Sequence, residues 1–141
     1  MIYNNRNQNF KIATKAIIQN LNGQILIIKK SVEENLEDAC ENLFDIPGGR
    51  LEYGEKLEEA LEREVREETN LIITNIQLLH ADSVIRPDKT QLIIITYLCC
   101  CLEGQCTLSE EHTECFWLTT EEILQSPLYP EWMKDMIRRI K

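Results

Sequence analysis

Hydrophobic and polar residues change their spacing several times along the chain, and each change predicts an element. Phe10 to Gln19, with Ile12, Ala16, Ile17 and Ile18, reads as a strand. Asn20-Leu21-Asn22-Gly23 ends in Asn-Gly and predicts a turn. Gln24 to Lys30 carries the unbroken run Ile25, Leu26, Ile27, Ile28 and predicts a strand buried on both faces. The two strands together predict a hairpin closed by Lys29 and Lys30. Ser31 to Leu43 is acidic, lacks clear periodicity and reads as a loop. Phe44-Asp45-Ile46-Pro47 leads into a turn built on Gly48, Gly49 and Gly54, three of the five glycines. Arg50 and Glu52 alternate outward from Leu51, as in a short strand.

Lys56 to Thr69 consists of strong helix formers without Gly or Pro, and Leu57, Ala60, Leu61 and Val65 recur at helical spacing. Ile72 to Ile85 is strand-rich, with Ile76, Leu78 and Val84 as core candidates. Arg86-Pro87-Asp88-Lys89 is a turn, and the apolar run from Gln91 to Leu102 predicts a central strand. Phe116-Trp117-Leu118 reads as a short strand. Thr119 or Thr120 caps a helix to Gln125, with Glu121 and Glu122 in its first turn. Ser126 to Pro130 breaks it, and Trp132, Met133, Met136, Ile137 and Ile140 form an amphipathic C-terminal helix. Strands on both sides of a central helix, with helices again at the end, predict an α+β domain spanning residues 1–141, a mixed sheet packed between helices.

At 141 residues the chain has the length of one domain, and 43% apolar content fits a globular protein. The net charge of −9 argues against a nucleic-acid polymer as partner, while small polyanions remain open if a metal and local Arg or Lys receive them. No apolar run reaches membrane-span length, and the polar, Asn-rich start lacks a signal-peptide core, so a cytoplasmic protein without a membrane partner is expected. The six cysteines include no Cys-x-x-Cys pair. Cys106, His112 and Cys115 match no common zinc module, and reduced thiols are the expectation.

The acidic residues of the central helix change the picture. At about 100° per residue, Glu58, Glu59 and Glu62 point away from Leu61. Glu64, Glu67 and Glu68 form an i, i+3, i+4 cluster at the edge of the apolar stripe. Carboxylates crowded there repel one another and resist desolvation, which a bound hard cation such as Mg²⁺ would reverse. A Glu-rich solvated face is the competing explanation.

Gly49 to Leu71 resembles the Nudix box, Gly-x5-Glu-x7-Arg-Glu-U-x-Glu-Glu-x-Gly-U with U aliphatic. Gly49, Glu55, Arg63, Glu64, Val65, Glu67, Glu68 and Leu71 match; Asn70 stands where the family has Gly. Asn tolerates the left-handed conformation that ends a helix, so it is expected to serve there as a structural residue beside Gly48. The resemblance implies the Nudix fold, an α/β/α sandwich with a central mixed sheet. It implies metal-dependent hydrolysis of a diphosphate linkage, with Mg²⁺ (Mn²⁺ as substitute) held by Glu64, Glu67 and Glu68. Glu64 or a Glu from a later loop, Glu111 or Glu114, would act as base. Arg63 would pair with Glu55 and hold the loop on the helix. Gly49, Arg50, Glu52 and Lys30 would lie near the substrate.

The implied substrate is a small nucleotide. A MutT-type enzyme acting on oxidised dGTP or another (d)NTP suits the size, and an ADP-ribose or nucleotide-sugar pyrophosphatase is the rival. Pro87, sixteen residues beyond Leu71, is the feature favouring the rival, though the turn already explains it. His112 is open as a base contact or a solvated loop residue. A non-catalytic nucleotide-sensing module is the alternative of another class, and a homodimer is left open.

Overall fold

A computed structural model of the protein describes residues 9–30, 43–101, 106–108 and 112–140, with the side chains of residues 112 and 113 outside the description. The expected loop from Ser31, the base candidate Glu111 and the His112 side chain lie outside the described residues. Among the described residues the elements are, in order, β1 (Phe10–Gln19), β2 (Ile25–Lys30), β3 (Phe44–Asp45), β4 (Gly48–Arg50), α1 (Leu57–Thr69), β5 (Thr74–Ile85), β6 (Gln91–Cys100), β7 (His112–Leu118), α2 (Thr120–Gln125) and α3 (Glu131–Arg138). The sheet runs β3-β2-β1-β6-β5, with β4 on β1 and β7 on β2. β1 and β6 are parallel and the other pairs antiparallel. This is the expected α+β fold with a mixed central sheet.

Two cores flank that sheet, and side-chain alternation decides which residue enters which. Ala16, Ile18, Leu26 and Ile28 meet Leu61 and Val65 of α1. Ile17, Ile25 and Ile27 meet Ile123, Met133 and Ile137 of the C-terminal helices. The run from Ile25 to Ile28 is continuous because both faces of β2 are covered, each fully buried aliphatic contributing about 1.5–3 kcal/mol. Thr119 caps α2 as expected, its hydroxyl accepting from the Glu122 N–H while Glu122 Oε1 accepts from the Thr119 N–H.

The hairpin expectation needs correction. β1 and β2 leave their turn paired only at Gln19–Ile25 and then diverge like a fork. The segment from Leu43 to Arg50 fills the gap: β4 pairs with β1, β3 with β2, and the Pro47 carbonyl accepts from Ala16 N–H at 2.8 Å. The strand ladder is satisfied by the inserted segment, so nothing compels the two strands to stay together. The core candidates of β5 also need correction. Leu78 is exposed; past it a register shift before His80 turns Leu79 toward the second core and puts Val84, 46% exposed, on the cavity. Ile76 packs on the first core as expected. Among the described residues, no helix is long and apolar enough to cross a membrane.

Candidate active site

The fork places a glycine strand directly beneath an acidic helix. Gly48 and Gly49 lie in β4 rather than in a turn, opposite Lys15 and Thr14. A Cβ on Gly48 would overlap the Thr14 carbonyl oxygen, and its φ of +151° disfavours other residues. A Cβ on Gly49 would overlap the Glu64 carboxylate. Both glycines are therefore the space into which the helix's carboxylates reach.

Arg63 locks this arrangement. Its Nε and Nη2 donate to the two oxygens of Glu55 at 2.7 and 2.9 Å, the planar fork expected of an Arg–carboxylate pair. Nη2 also donates to the Arg50 carbonyl at 3.1 Å, and Nη1 to Glu64 at 2.9 Å and Glu67 at 3.3 Å. The Arg63 hydrogen bonds, helped by the Glu52 N–H, bring the Glu55 carboxyl down to about 2. At the other end of α1, Asn70 sits at φ 60°, ψ 20° and its N–H closes the last turn on Arg66. That is the left-handed stop expected for this departure from the box.

The three box glutamates are not equivalent. Glu68 is buried, 8% exposed, and accepts from the Gly48 N–H at 3.3 Å. Burial pushes its carboxyl up to about 8, against the opposing pull of Lys15 and that N–H. Burial also raises Glu64, opposed by Arg63 and aided by the neighbouring charge of Glu67. Glu67 is mostly exposed and turned to Arg63. It lies about 120° around the helix from Leu61, too far to be covered by the core.

Beneath the carboxylates lies a charged cluster of which the sequence reading named only Lys30. Lys15 Nζ donates to Asp45 Oδ2 at 2.9 Å, and Lys30 Nζ lies 3.3 Å from the same oxygen. All three side chains are largely buried. Burial alone would raise Asp45, but Lys15 and Lys30 outweigh it and hold its carboxyl below the usual range. Burial alone would lower Lys15; Asp45 and then Glu68 outweigh it and raise the ammonium. The available signal was Lys15 directly before the apolar run Ala16–Ile18 of β1, and an aspartate just before the glycines.

These groups open into one cavity of about 710 Å³. Its floor is a set of rows across β1, β6 and β5. Lys15, Thr96 and His80 form one row, Ala13, Ile94 and Asp82 the next, and Leu92 and Val84 the last. Arg86 and Pro87 of the following turn, and Trp132 and Met136 of α3, line it as well. Of the expected site residues, Glu64, Glu68, Gly48, Gly49, Arg50 and Lys30 line the cavity. Glu67 and Glu52 do not; Glu52 is exposed, 3.9 Å from Arg63. Glu114 points elsewhere, 3.9 Å from Lys29 on the strand pair β2–β7. Cys106 and Cys115 share a hydrogen bond, and burial raises the Cys106 thiol to about 12.

Among the described residues, no three acidic, histidine or cysteine side chains converge as ligands of an ion. The donor chemistry of Glu64 and Glu68 nevertheless fits a hard divalent cation. Both are oxygen donors held near each other at a cost that a bound cation would relieve, and the glycines leave the room. Glu67 would have to leave Arg63 to join them.

The NUDIX domain family model matches residues 9–140. Phosphatase NudJ of Escherichia coli strain K12 is 29% identical over 126 residues, 84% of this chain and 78% of NudJ. The crystal structure of a MutT protein from Methanosarcina mazei Go1 superposes with a TM-score of 0.78 at 27% identity, over 96% of this chain and 95% of that one. A MutT NUDIX hydrolase from Burkholderia pseudomallei gives 0.77 at 21% identity, over 95% of this chain and all of that one, a likeness of fold.

Proposed function

Because this chain belongs to the NUDIX family and is a pyrophosphohydrolase, we propose that it hydrolyses the diphosphate linkage of a nucleoside triphosphate in the presence of Mg²⁺. The observation that carries the reading is the single cavity joining Glu64, Glu68, Lys15, Lys30 and Arg50 to an apolar far end. It offers acidic metal donors, cations for phosphate and walls for a nucleoside in sequence.

Glu64 and Glu68 would hold the metal, with Glu67 as third donor and Mn²⁺ as a substitute. The metal would neutralise phosphate charge and make water acidic enough to attack. Glu64 is the candidate acceptor for the proton of that water. The water oxygen bonds to phosphorus, the bridging P–O bond breaks, and pyrophosphate departs with the electron pair, leaving a nucleoside monophosphate. Arg50 and Lys30 bind phosphate oxygens, while Arg63 keeps the β4–α1 junction in place and does not touch the substrate.

An oxidised purine triphosphate such as oxidised dGTP is the first substrate to test. ADP-ribose is the second, because Pro87 lines the cavity as well as forming the turn. The test is nucleoside monophosphate release from a panel of (d)NTPs, oxidised dGTP and ADP-ribose, with Mg²⁺ and with EDTA; pyrophosphate is the second product from a triphosphate and ribose 5-phosphate from ADP-ribose. Turnover with Mg²⁺ alone supports the reading. Flat traces with measurable nucleotide binding would instead support a non-catalytic sensor.

A further inference from the structure

The rows of the cavity floor lose polarity with distance from the carboxylates. Lys15, Thr96 and His80 are polar, Ala13, Ile94 and Asp82 are mixed, and Leu92 with Val84 is aliphatic. Asp82 keeps phosphate away from the middle row by like-charge repulsion, so the phosphates belong over Lys15 and the uncharged part of the ligand over the aliphatic row.

Trp132 stands on the same cavity. Its neighbours on α3, Met133 and Ile137, are buried in the second core, and so fix the helix. Pro130 is the N-cap of the helix, its carbonyl accepting from the Met133 and Lys134 N–H groups at 3.1 and 3.3 Å. Trp132 itself is left 43% exposed, a large aromatic surface that packing does not use. A rigidly mounted indole on a cavity with an aliphatic floor suits a planar ring better than a flexible sugar or a chain.

We propose that Trp132 is a specificity-determining residue that stacks on the heteroaromatic base of the nucleotide, with the Leu92–Val84 row beneath the same ring. This rests on the hydrolase reading above and names the part of the substrate that the cavity's far end selects. Stacking of this kind is sequence-tolerant, because every base has a π-face. Trp132 therefore selects for the presence of a base more than for its identity.

The experiment uses the full chain and the variants Trp132→Ala and Trp132→Phe, with Trp117→Phe as a control. Steady-state rates are measured on a (d)NTP panel with Mg²⁺. Tryptophan fluorescence is titrated with the same nucleotides in EDTA. Trp132→Ala should raise KM about 10- to 100-fold with kcat within about threefold, the range that one base–aromatic stack implies. Trp132→Phe should recover most of the loss. Nucleotide quenching should vanish in Trp132→Phe and persist in Trp117→Phe. An unchanged KM in Trp132→Ala, or quenching that survives in Trp132→Phe, overturns the proposal. A wild-type protein that hydrolyses nothing on the panel overturns the hydrolase reading instead, and the quenching titration still decides for or against Trp132. If Trp132→Ala fails to fold, Trp132→Phe and the quenching data carry the decision.

Discussion

Replacing Glu68 with Gln should stabilise the metal-free protein, and the gain should depend on pH in a defined way. Glu68 is 8% exposed and its carboxyl sits at about 8, against 4.5 for an ordinary glutamate. A carboxyl raised by folding keeps its proton in the native state where the unfolded chain has lost it. Stability from this group is therefore fully present below pH 4.5 and falls as pH rises toward 8. At pH 7 the span crossed is 7 − 4.5 = 2.5 units, which costs about 3 kcal/mol. Gln is neutral throughout, and its Oε1 can still accept from the Gly48 N–H. Urea or thermal unfolding in EDTA should show wild type and Glu68→Gln nearly equal at pH 4. They should separate by about 3 kcal/mol at pH 7, roughly 10 °C in Tm for a chain of this size. Mg²⁺ should narrow or reverse the difference, since a hard cation needs the deprotonated carboxylate. A difference independent of pH, or a variant less stable than wild type at pH 7 in EDTA, refutes the reasoning.

Other expectations are simpler to check. Glu64→Gln should keep the fold by circular dichroism and lower kcat on the order of a hundredfold, whereas Glu59→Gln, on the exposed face, should leave initial rates within about twofold. Asn70→Gly should change stability by less than about 1 kcal/mol, since relief of the left-handed backbone offsets the added freedom of the unfolded chain; a larger loss by chemical denaturation would show that the Asn side chain itself is needed. Gly48→Ala should cost more than about 3 kcal/mol by the same assay, because its Cβ meets the fixed carbonyl of Thr14 at a positive φ. A soluble Gly48→Ala protein with wild-type Tm would contradict the close approach of β4 to β1.

Local patterning determined a large part of this protein. Helical spacing and strong formers set α1, and Asn70 ended it, because capping needs only neighbouring backbone. The bounds of β1 and the Thr119 cap were legible for the same reason. The resemblance to the Nudix box implied the Arg63–Glu55 pair, which joins residues eight apart along one loop and helix. The wheel also told Glu64 and Glu68 from the solvated face, since periodicity reports which side a neighbour covers.

Tertiary structure decided what depends on distant partners. β1 and β2 read as a hairpin, and only the insertion of Leu43 to Arg50 between them turned that hairpin into a fork. Gly48 and Gly49 read as a turn, and only the approach of Thr14 and Glu64 made them an extended strand with no room for a side chain. The register shift at Leu78 and His80 changed which β5 positions face the cavity after it, namely His80, Asp82 and Val84, which alternation in the sequence cannot show. Glu67 clustered with its neighbours by spacing, yet Arg63 holds it outside the cavity. Lys15, Asp45 and Trp132 come from three separate elements, each with an ordinary local role. The sheet and the C-terminal helix give them a shared cavity, and a cavity is a property of packing with no sequence period of its own.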